Sequence, residues 1–411
     1  MMIRCIALLL LSASPALAEP GLPPEAAVIE ALDTHPSVLA ARARLEAARA
    51  AARGLAAGPH EVVAQGLIQR RDVRGIGLLE EYDVQVSRAF RLPGKAALDR
   101  RAGEAGITAA DNRADDARHQ AALLLSSQWW DWAGASAEAR VLGEAADLAV
   151  SAVSATRQRL ARKDASALEL DQALAAEASA RAAARMAQGR AAAARARLAA
   201  NFPSLPLPAA PPPLPEPAMP AEGLARLSEL VVARSHEIGA SAADLAQADA
   251  LRARAARDRI ADPSIGVRGF SEQGGNERGV GLVLSVPLGG RARAAAADQA
   301  AAMASAASAD LVATRTAIEA IAAEDAVLAE AGLEAWTQTR ASADATAAAA
   351  RRQREGHRLG GVDLADLLAT ERLARDAALE EVKARVAALA AITRIRIDSH
   401  TLWMGEDSMS H

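Results

Sequence analysis

The sequence predicts a mainly α-helical fold with a small β part, built from one unit repeated. Three observations predict it. Long stretches rich in Ala, Arg, Glu, Leu and Gln run with few Gly and Pro, a helix-forming composition. Short stretches switch to strand-like alternation. Both kinds of stretch recur on either side of a proline-rich segment, which is a direct internal repeat.

The elements follow in chain order. Arg4, the apolar run Ile6 to Leu11 and the small-x-small triplet Ala16-Leu17-Ala18 have the order of a secretory leader. Residues 1–18 are therefore expected to be removed, leaving Glu19 first. Cys5, the only cysteine, lies in that leader, so the mature chain is expected to hold no disulfide, thiol nucleophile or thiolate metal site. No cysteine stands at the cleavage point to carry a lipid.

The first repeat is read over 19–201. A helix from Glu25 to Leu32 leads into a second one at His35-Pro36, which ends near Gly58-Pro59. Strand periodicity follows over Glu61 to Gln69 and Tyr82 to Phe90, giving a β-hairpin at about 60–92 with a charged loop over Arg71 to Gly77. Tyr82, Val84, Val86 and Phe90 share one face, and only Arg88 breaks it. The turn Phe90-Arg91-Leu92-Pro93-Gly94-Lys95 stops the ladder and opens a proline-free stretch from Ala96 to Arg159. A continuous helix of that length spans on the order of 90 Å. Two apolar stripes run along it, through Val141, Ala145, Leu148 and Ala152 and through Leu142, Ala146, Ala149 and Val153. Two stripes imply two helical neighbours, as in a ring of helices.

Residues 202–220 hold nine of the chain's 18 prolines and read as an extended linker. The second repeat is read over 221–397. Leu224 to Arg234 precedes a helix at Ser235-His236, and a hairpin at about 263–288 joins Ser264–Phe270 to Val280–Leu288. It ends in Pro287-Leu288-Gly289-Gly290-Arg291 before another long helix. Residues 398–411 form a tail. Tyr82, Phe90 and Phe270 fall in the strands. They suit a membrane interface, and equally suit a half-buried sheet.

Several function classes are excluded. A net charge of −4 with interspersed signs lacks the basic footprint that nucleic acid requires. After the leader there is no run of about 18 apolar residues to cross a bilayer as a helix. The seven histidines form no ligand pair at helical spacing, and no nucleophile elbow, phosphate loop or dinucleotide fingerprint is present, so neither an enzyme nor a cofactor is expected. Four strands cannot close a barrel. An open edge facing lipid leaves backbone groups unpaired at several kcal/mol each. If the strands span a membrane, several copies must share them.

In order and duplication these pieces resemble the TolC family of outer-membrane efflux proteins over roughly Pro24 to Ile397. The pieces are the His35-Pro36 helix start, the strand-to-helix turns at Pro93, Gly94, Lys95 and at Gly289, Gly290, and the Gly360-to-Leu368 turn. The resemblance implies a homotrimer: four strands per protomer in a 12-stranded barrel within outer-membrane lipid, and long coiled-coil helices in a periplasmic barrel. It also implies a periplasmic adaptor and an inner-membrane pump as partners. The Phe90–Lys95 turn resembles that of the CzcC-like heavy-metal branch, with metal cations as cargo. A periplasmic adaptor or a non-pore coiled-coil envelope protein are the competing readings.

The resemblance places the helix-to-helix turns at the periplasmic end of the tunnel. Asp363 and Asp366, three apart, are expected on one helical face, and Asp366 is similar to a gate acid of the family, with Glu169 its counterpart in the first repeat. Three copies would make rings of acids around a pore. Acids in a first turn also stabilise a helix N-terminus with no gate involved. Lys163 and Arg358 flank the turns as candidate adaptor contacts. In the tail, His400, Met404, Met409 and His411 could bind a soft metal, although a disordered terminus is the plainer expectation. Trp129, Trp130 and Trp132 are expected to pack.

Overall fold

A computed structural model describes residues 19–404. The leader with Cys5, and Met409 and His411 of the tail, lie outside the described residues. The helices are α1 (Glu25–Asp33), α2 (Pro36–Ala57), α3 (Lys95–Ala161), α4 (Ala167–Asn201), α5 (Leu224–Ala233), α6 (His236–Asp258), α7 (Arg291–Arg358) and α8 (Leu364–Asp398). Strands β1 (Val62–Val73) and β2 (Gly77–Ala89) lie between α2 and α3, and β3 (Ser264–Glu272) and β4 (Glu277–Ser285) between α6 and α7. The order helix, helix, strand, strand, helix, helix therefore occurs twice. Among the described residues no helix is long and apolar enough to cross a membrane.

The chain forms two compact units, each drawing on both halves of the sequence. One holds the residues up to His35, His119–Val231 and those from Ala322 on; the other holds Pro36–Arg118 and Val232–Ile321.

The second of these units carries one antiparallel sheet in the order β1-β2-β3-β4. Pairing of Val62 with Arg88, Val86 with Val267 and Val267 with Leu282 fixes the register. Paired residues share a face, so the sheet has two distinct sides. One carries Val62, Ile68, Tyr82, Val84, Val86, Ile265, Val267, Val280, Leu282 and Leu284, all exposed, with Val280 at 83% and Leu282 at 81%. The other carries Gln65, Gln85, Asp83, Arg268, Glu81 and Ser87, with Val63 and Leu67 exposed among them. Beyond Tyr82 the apolar side turns charged, with Arg70 and Glu80 paired at 2.6 Å. Tyr82, whose hydroxyl donates to Glu80 at 3.3 Å, marks that boundary.

One expectation is corrected here, and the face of Phe270 is settled. Phe270 lies on the opposite side of the sheet from Tyr82. It pairs with Asp83 on the polar side, where Arg268 lies over its ring at 5.2 Å and Gly279 leaves the space it fills. The charged loop over Arg71 to Gly77 is also shorter than its composition suggests. Arg71 to Val73 extend β1, because Arg71 reaches across to Glu81 at 2.5 Å and Gln69 donates to the same carboxylate at 2.6 Å. Cross-strand partners let charged residues hold a ladder.

In the other unit, Leu142, Ala146 and Val153 of one α3 stripe are buried, packing on Ala184 and Ala187 and on Ala173, Leu364 and Leu367. The neighbouring stripe is left half-covered, and Leu148 is exposed. The tryptophans pack and are satisfied. The Trp129 indole donates to the Gly21 carbonyl at 2.8 Å and meets Trp132 edge-on, and the Trp130 indole donates to Thr393 at 3.0 Å. Residues 202–220 hold no regular element but are strapped down. Phe202 and Leu205 are buried, and the Leu207, Pro208 and Leu214 carbonyls accept from Arg195 and Arg385.

Residues 398–404, the described part of the tail, are packed where a disordered terminus was expected. Thr401 N–H donates to the Arg396 carbonyl at 2.8 Å and His400 N–H to Ile397 at 2.9 Å, with His400 in the left-handed region (φ 56°). This is a Schellman cap on α8. Trp403 is buried, and the His400 ring meets His119 edge-on at 5.5 Å.

A buried carboxylate pair lies close by. Asp398 pairs with His119 at 2.7 Å, and Asp325 accepts from Arg394 at 2.9 Å. Among the described residues one oxygen of each acid has no hydrogen-bond donor, although Arg394 lies 3.4 Å from that of Asp398. Burial, together with the Asp398 carboxylate, pushes Asp325 up to about 7 against the pull of Arg394. A folded-state pKa above the unfolded one gives stability that is full below the unfolded value and is lost as pH rises through the folded value. Thermal stability of the wild-type protein is thus expected to fall as pH rises from about 4 to about 7, and Asp325→Asn is expected to flatten that slope. Equal slopes in melts of the two proteins would refute the raised Asp325 carboxyl.

Candidate functional site

Two turns join the long helices, and both are built alike. Helix α3 ends with Lys163 N–H donating to the Leu160 carbonyl at 2.9 Å and Asp164 N–H to Arg159 at 2.9 Å; α7 ends with Gly360 to His357 at 3.0 Å and Gly361 to Gly356 at 2.9 Å. Both are Schellman motifs, which place a residue at positive φ after the helix. Gly360 (φ 81°) meets that demand freely, whereas Lys163 (φ 66°) does so with a Cβ. A non-glycine residue there is strained by about 1–2 kcal/mol.

The helices that follow start from side-chain caps. Ser166 and Glu169 form a capping box: the Ser166 hydroxyl accepts from Glu169 N–H at 3.2 Å, and the Glu169 carboxylate from Ser166 N–H at 2.6 Å. That backbone hydrogen bond holds the Glu169 carboxyl below its usual range. Asp363 caps α8, its carboxylate accepting from Asp366 N–H at 2.9 Å. Asp363 and Asp366 therefore differ in role at the start of α8. Asp363 precedes the helix and its carboxylate is turned onto the backbone. Asp366 and Glu169 do hold the same position, third in their helices. Among the described residues the Asp366 carboxylate alone of the three has no hydrogen-bond or ion-pair partner, and it is exposed.

The flanking cations differ. Lys163 is exposed, while Arg358 holds Glu355 through two contacts, Nε at 2.9 Å and Nη2 at 2.5 Å. Sequence reasoning missed a contact between the turns. Arg159 Nη1 lies 3.2 Å from His357 Nε2, and His357 Nδ1 lies 2.8 Å from the Val362 carbonyl. The available signal was a polar residue, His357, at the place where the first repeat has Leu160.

The strand-to-helix turns lie in the sheet-bearing unit. Gly94 (φ 85°) leaves room for the Arg257 guanidinium, which donates to the Pro93 carbonyl at 3.0 Å. Lys95 opens α3 and is only 1% exposed; its ammonium meets Asp262 at 2.7 Å, Asp258 at 2.8 Å and the Ile260 carbonyl at 2.7 Å. Asp262 also accepts from Leu92 N–H at 3.0 Å and pairs with His60 at 2.8 Å. Burial raises its carboxyl, but the Lys95, His60 and Leu92 hydrogen bonds and the Lys95 charge outweigh this and bring it down to about 2. Asp99 beside it takes Arg91 and Arg254, both at 2.8 Å. The counterpart turn is simpler: Gly289 passes close to the Arg259 carbonyl, and Gly290 starts α7 by accepting from Arg293 N–H at 3.1 Å. A basic turn read from sequence is thus, at Lys95, a buried structural cation that ties residues of the two halves together.

Of the four tail candidates for a soft metal, His400 and Met404 are described. His400 serves as the helix cap and packs on His119.

No family model matches the chain, and no curated protein matches it. Solved structures do. A membrane protein from Pseudomonas aeruginosa superposes with a TM-score of 0.75 at 18% identity, covering 91% of this chain and 93% of the other. The VceC outer membrane protein of Vibrio cholerae gives 0.75 at 16% identity, with 91% and 95% covered. The CmeC outer membrane channel of Campylobacter jejuni gives 0.74 at 16%, with 93% and 87% covered. The chain has the fold of these three membrane proteins over nearly its whole length.

Proposed function

We propose that this chain belongs with the TolC-like channels, as the outer-membrane subunit of a tripartite efflux or type I secretion assembly. Three copies would pool twelve strands in one barrel and their long helices in a periplasmic tunnel. The recurring element order is then an internal duplication. The channel is a passive exit duct with no covalent step. A periplasmic adaptor would meet the helix turns near Lys163 and Arg358, and an inner-membrane pump would supply the energy.

One observation carries this reading. The four-stranded sheet has an exposed apolar side, a polar side, and outer edges on β1 and β4 that pair with no other strand among the described residues. An apolar sheet face suits lipid and a polar one suits a lumen. Unpaired edges are tolerated in hydrocarbon only if other copies complete the ladder. The half-covered α3 stripe through Leu148 supports the same conclusion, since it leaves a helix face for a neighbour. An adaptor or a non-pore coiled coil has no use for such a sheet.

The test is outer-membrane fractionation followed by native mass measurement in detergent. Three copies per particle in the outer-membrane fraction are expected, and a water-soluble periplasmic monomer would sink the proposal. We place the gate at Asp366, the acid left free by capping. In a trimer it forms an acidic ring that favours cations and can restrict a closed aperture. Asp366→Ala is expected to raise conductance in planar bilayers, and unchanged conductance would remove the gate while leaving the channel. A metal cargo rested on the Phe90–Lys95 turn. There Lys95 is accounted for by its buried acids, so the turn does not discriminate between cargoes.

A further inference from the structure

The contact between Arg159 and His357 is explained neither by capping nor by the acidic turn. His357 lies in the last turn of α7 and Arg159 near the end of α3. A guanidinium only donates hydrogen bonds and a carbonyl only accepts them. With Arg159 at 3.2 Å from Nε2 and the Val362 carbonyl at 2.8 Å from Nδ1, one form of the ring satisfies both partners: neutral, with its proton on Nδ1. Arg159 Nη2 also donates to the Asp164 carbonyl at 3.0 Å. A continuous chain of hydrogen bonds therefore runs from the α3–α4 turn, through Arg159 and the imidazole, to the α7–α8 turn.

We propose that His357 is a proton-sensitive latch, a positioning residue that ties the two turns together while neutral and releases them when Nε2 is protonated. Protonation removes the lone pair that Arg159 donates to and sets two cations against each other. Imidazole is the side chain whose charge ordinarily changes between about pH 5 and 8.

The charges around the ring come from several elements. From α3 the ring faces Arg159, whose other nitrogen reaches the Asp164 carbonyl in the first turn, which also carries the exposed Lys163. From α4 it faces Glu169, which couples to both Arg159 and His357 but is committed to the Ser166 cap. On α7 itself, Glu355 is taken by Arg358, and Arg354 by Glu371 of α8 at 3.0 Å. Asp363 caps α8, and Asp366 is exposed at its start. The neighbouring acids other than Asp164 and Asp366 are thus already hydrogen-bonded or ion-paired, and Arg159 is the group opposite Nε2.

The latch is a property of the fold; only its effect on an aperture rests on the channel reading. The test separates the two. Arg162→Cys and Leu359→Cys, both exposed positions, carry spin labels on the full chain, and the distance between them is measured at about pH 7.5 and 5.5, either side of ordinary imidazole titration. In wild type the distance distribution is expected to be narrow at the higher pH and broad at the lower. In His357→Gln, whose amide oxygen can still accept from Arg159 but cannot titrate, it is expected to stay narrow at both. A wild-type distribution that ignores pH, or a glutamine variant that broadens as wild type does, overturns the latch. In planar bilayers the same shift is expected to raise wild-type conductance several-fold and to leave the variant flat. A distance change with no conductance change in a working pore would overturn control of the aperture. A protein that conducts at neither pH would count against the channel reading alone.

Discussion

Lys95→Met is expected to destabilise the protein by about 3–5 kcal/mol, the cost of removing one partner from a buried ion pair. The ammonium is 1% exposed and holds Asp262 at 2.7 Å and Asp258 at 2.8 Å. Without it, Asp262 keeps His60 and Leu92 N–H but loses its cation, and a carboxyl now held down to about 2 must take up a proton or stay charged in a poor environment. Methionine fills similar space, so a cavity adds little. The double variant Lys95→Met with Asp262→Leu removes both charges and is expected to recover much of the loss, since an apolar pair of similar volume is often neutral. Denaturant unfolding in detergent measures all three proteins. A single variant within about 1 kcal/mol of wild type would show that the buried cation matters no more than a surface one. The sign with pH follows from the lowered carboxyl. Stability from Asp262 is present above its unfolded value near 4 and is lost as pH falls toward about 2.

Leu282→Arg is expected to abolish membrane assembly. Leu282 lies on the apolar side of β4, opposite Val267, and is 81% exposed in the single chain. If that side meets lipid, an arginine near the midplane costs about 2–4 kcal/mol per copy, and the cost repeats in every copy that shares the barrel. Val283→Arg, one residue further on, enters the polar side opposite Gly266 and is expected to assemble. The two variants add the same charge to the same strand and differ only in the face they use. The amount of assembled protein in the outer-membrane fraction distinguishes them. Equal loss, or equal tolerance, would mean that the sheet does not separate lipid from lumen.

The alternation that defines the sheet was legible because a two-residue period puts Val84 and Val86, and likewise Leu282 and Leu284, on one side whatever the partner strand. The ends of the strands were less legible. Arg70 and Arg71 look like loop residues until Glu80 and Glu81 are known to lie across from them. The aromatic character of Phe270 does not say which face it takes. Counting parity from Arg268 would have put it on the polar side, where the structure has it. At the helix turns, both starts could be read from an acid three residues past Ser166 and Asp363, but sequence does not say which carboxylate bends back to the backbone. The contacts that hold the halves together join residues far apart in the chain: 167 between Lys95 and Asp262 and 198 between Arg159 and His357. No local pattern encodes them, and in each case only one partner stood out, Lys95 as part of a turn motif and His357 as one scattered histidine among seven.

The central claim is that copies of this chain share one membrane-spanning pore. Single-channel recording of the purified full chain in planar bilayers tests it most directly. The account predicts discrete, long-lived conductance steps from wild-type protein and none from Leu282→Arg. A correctly folded protein that leaves the bilayer silent, or that conducts equally well with arginine on the apolar face, would contradict it.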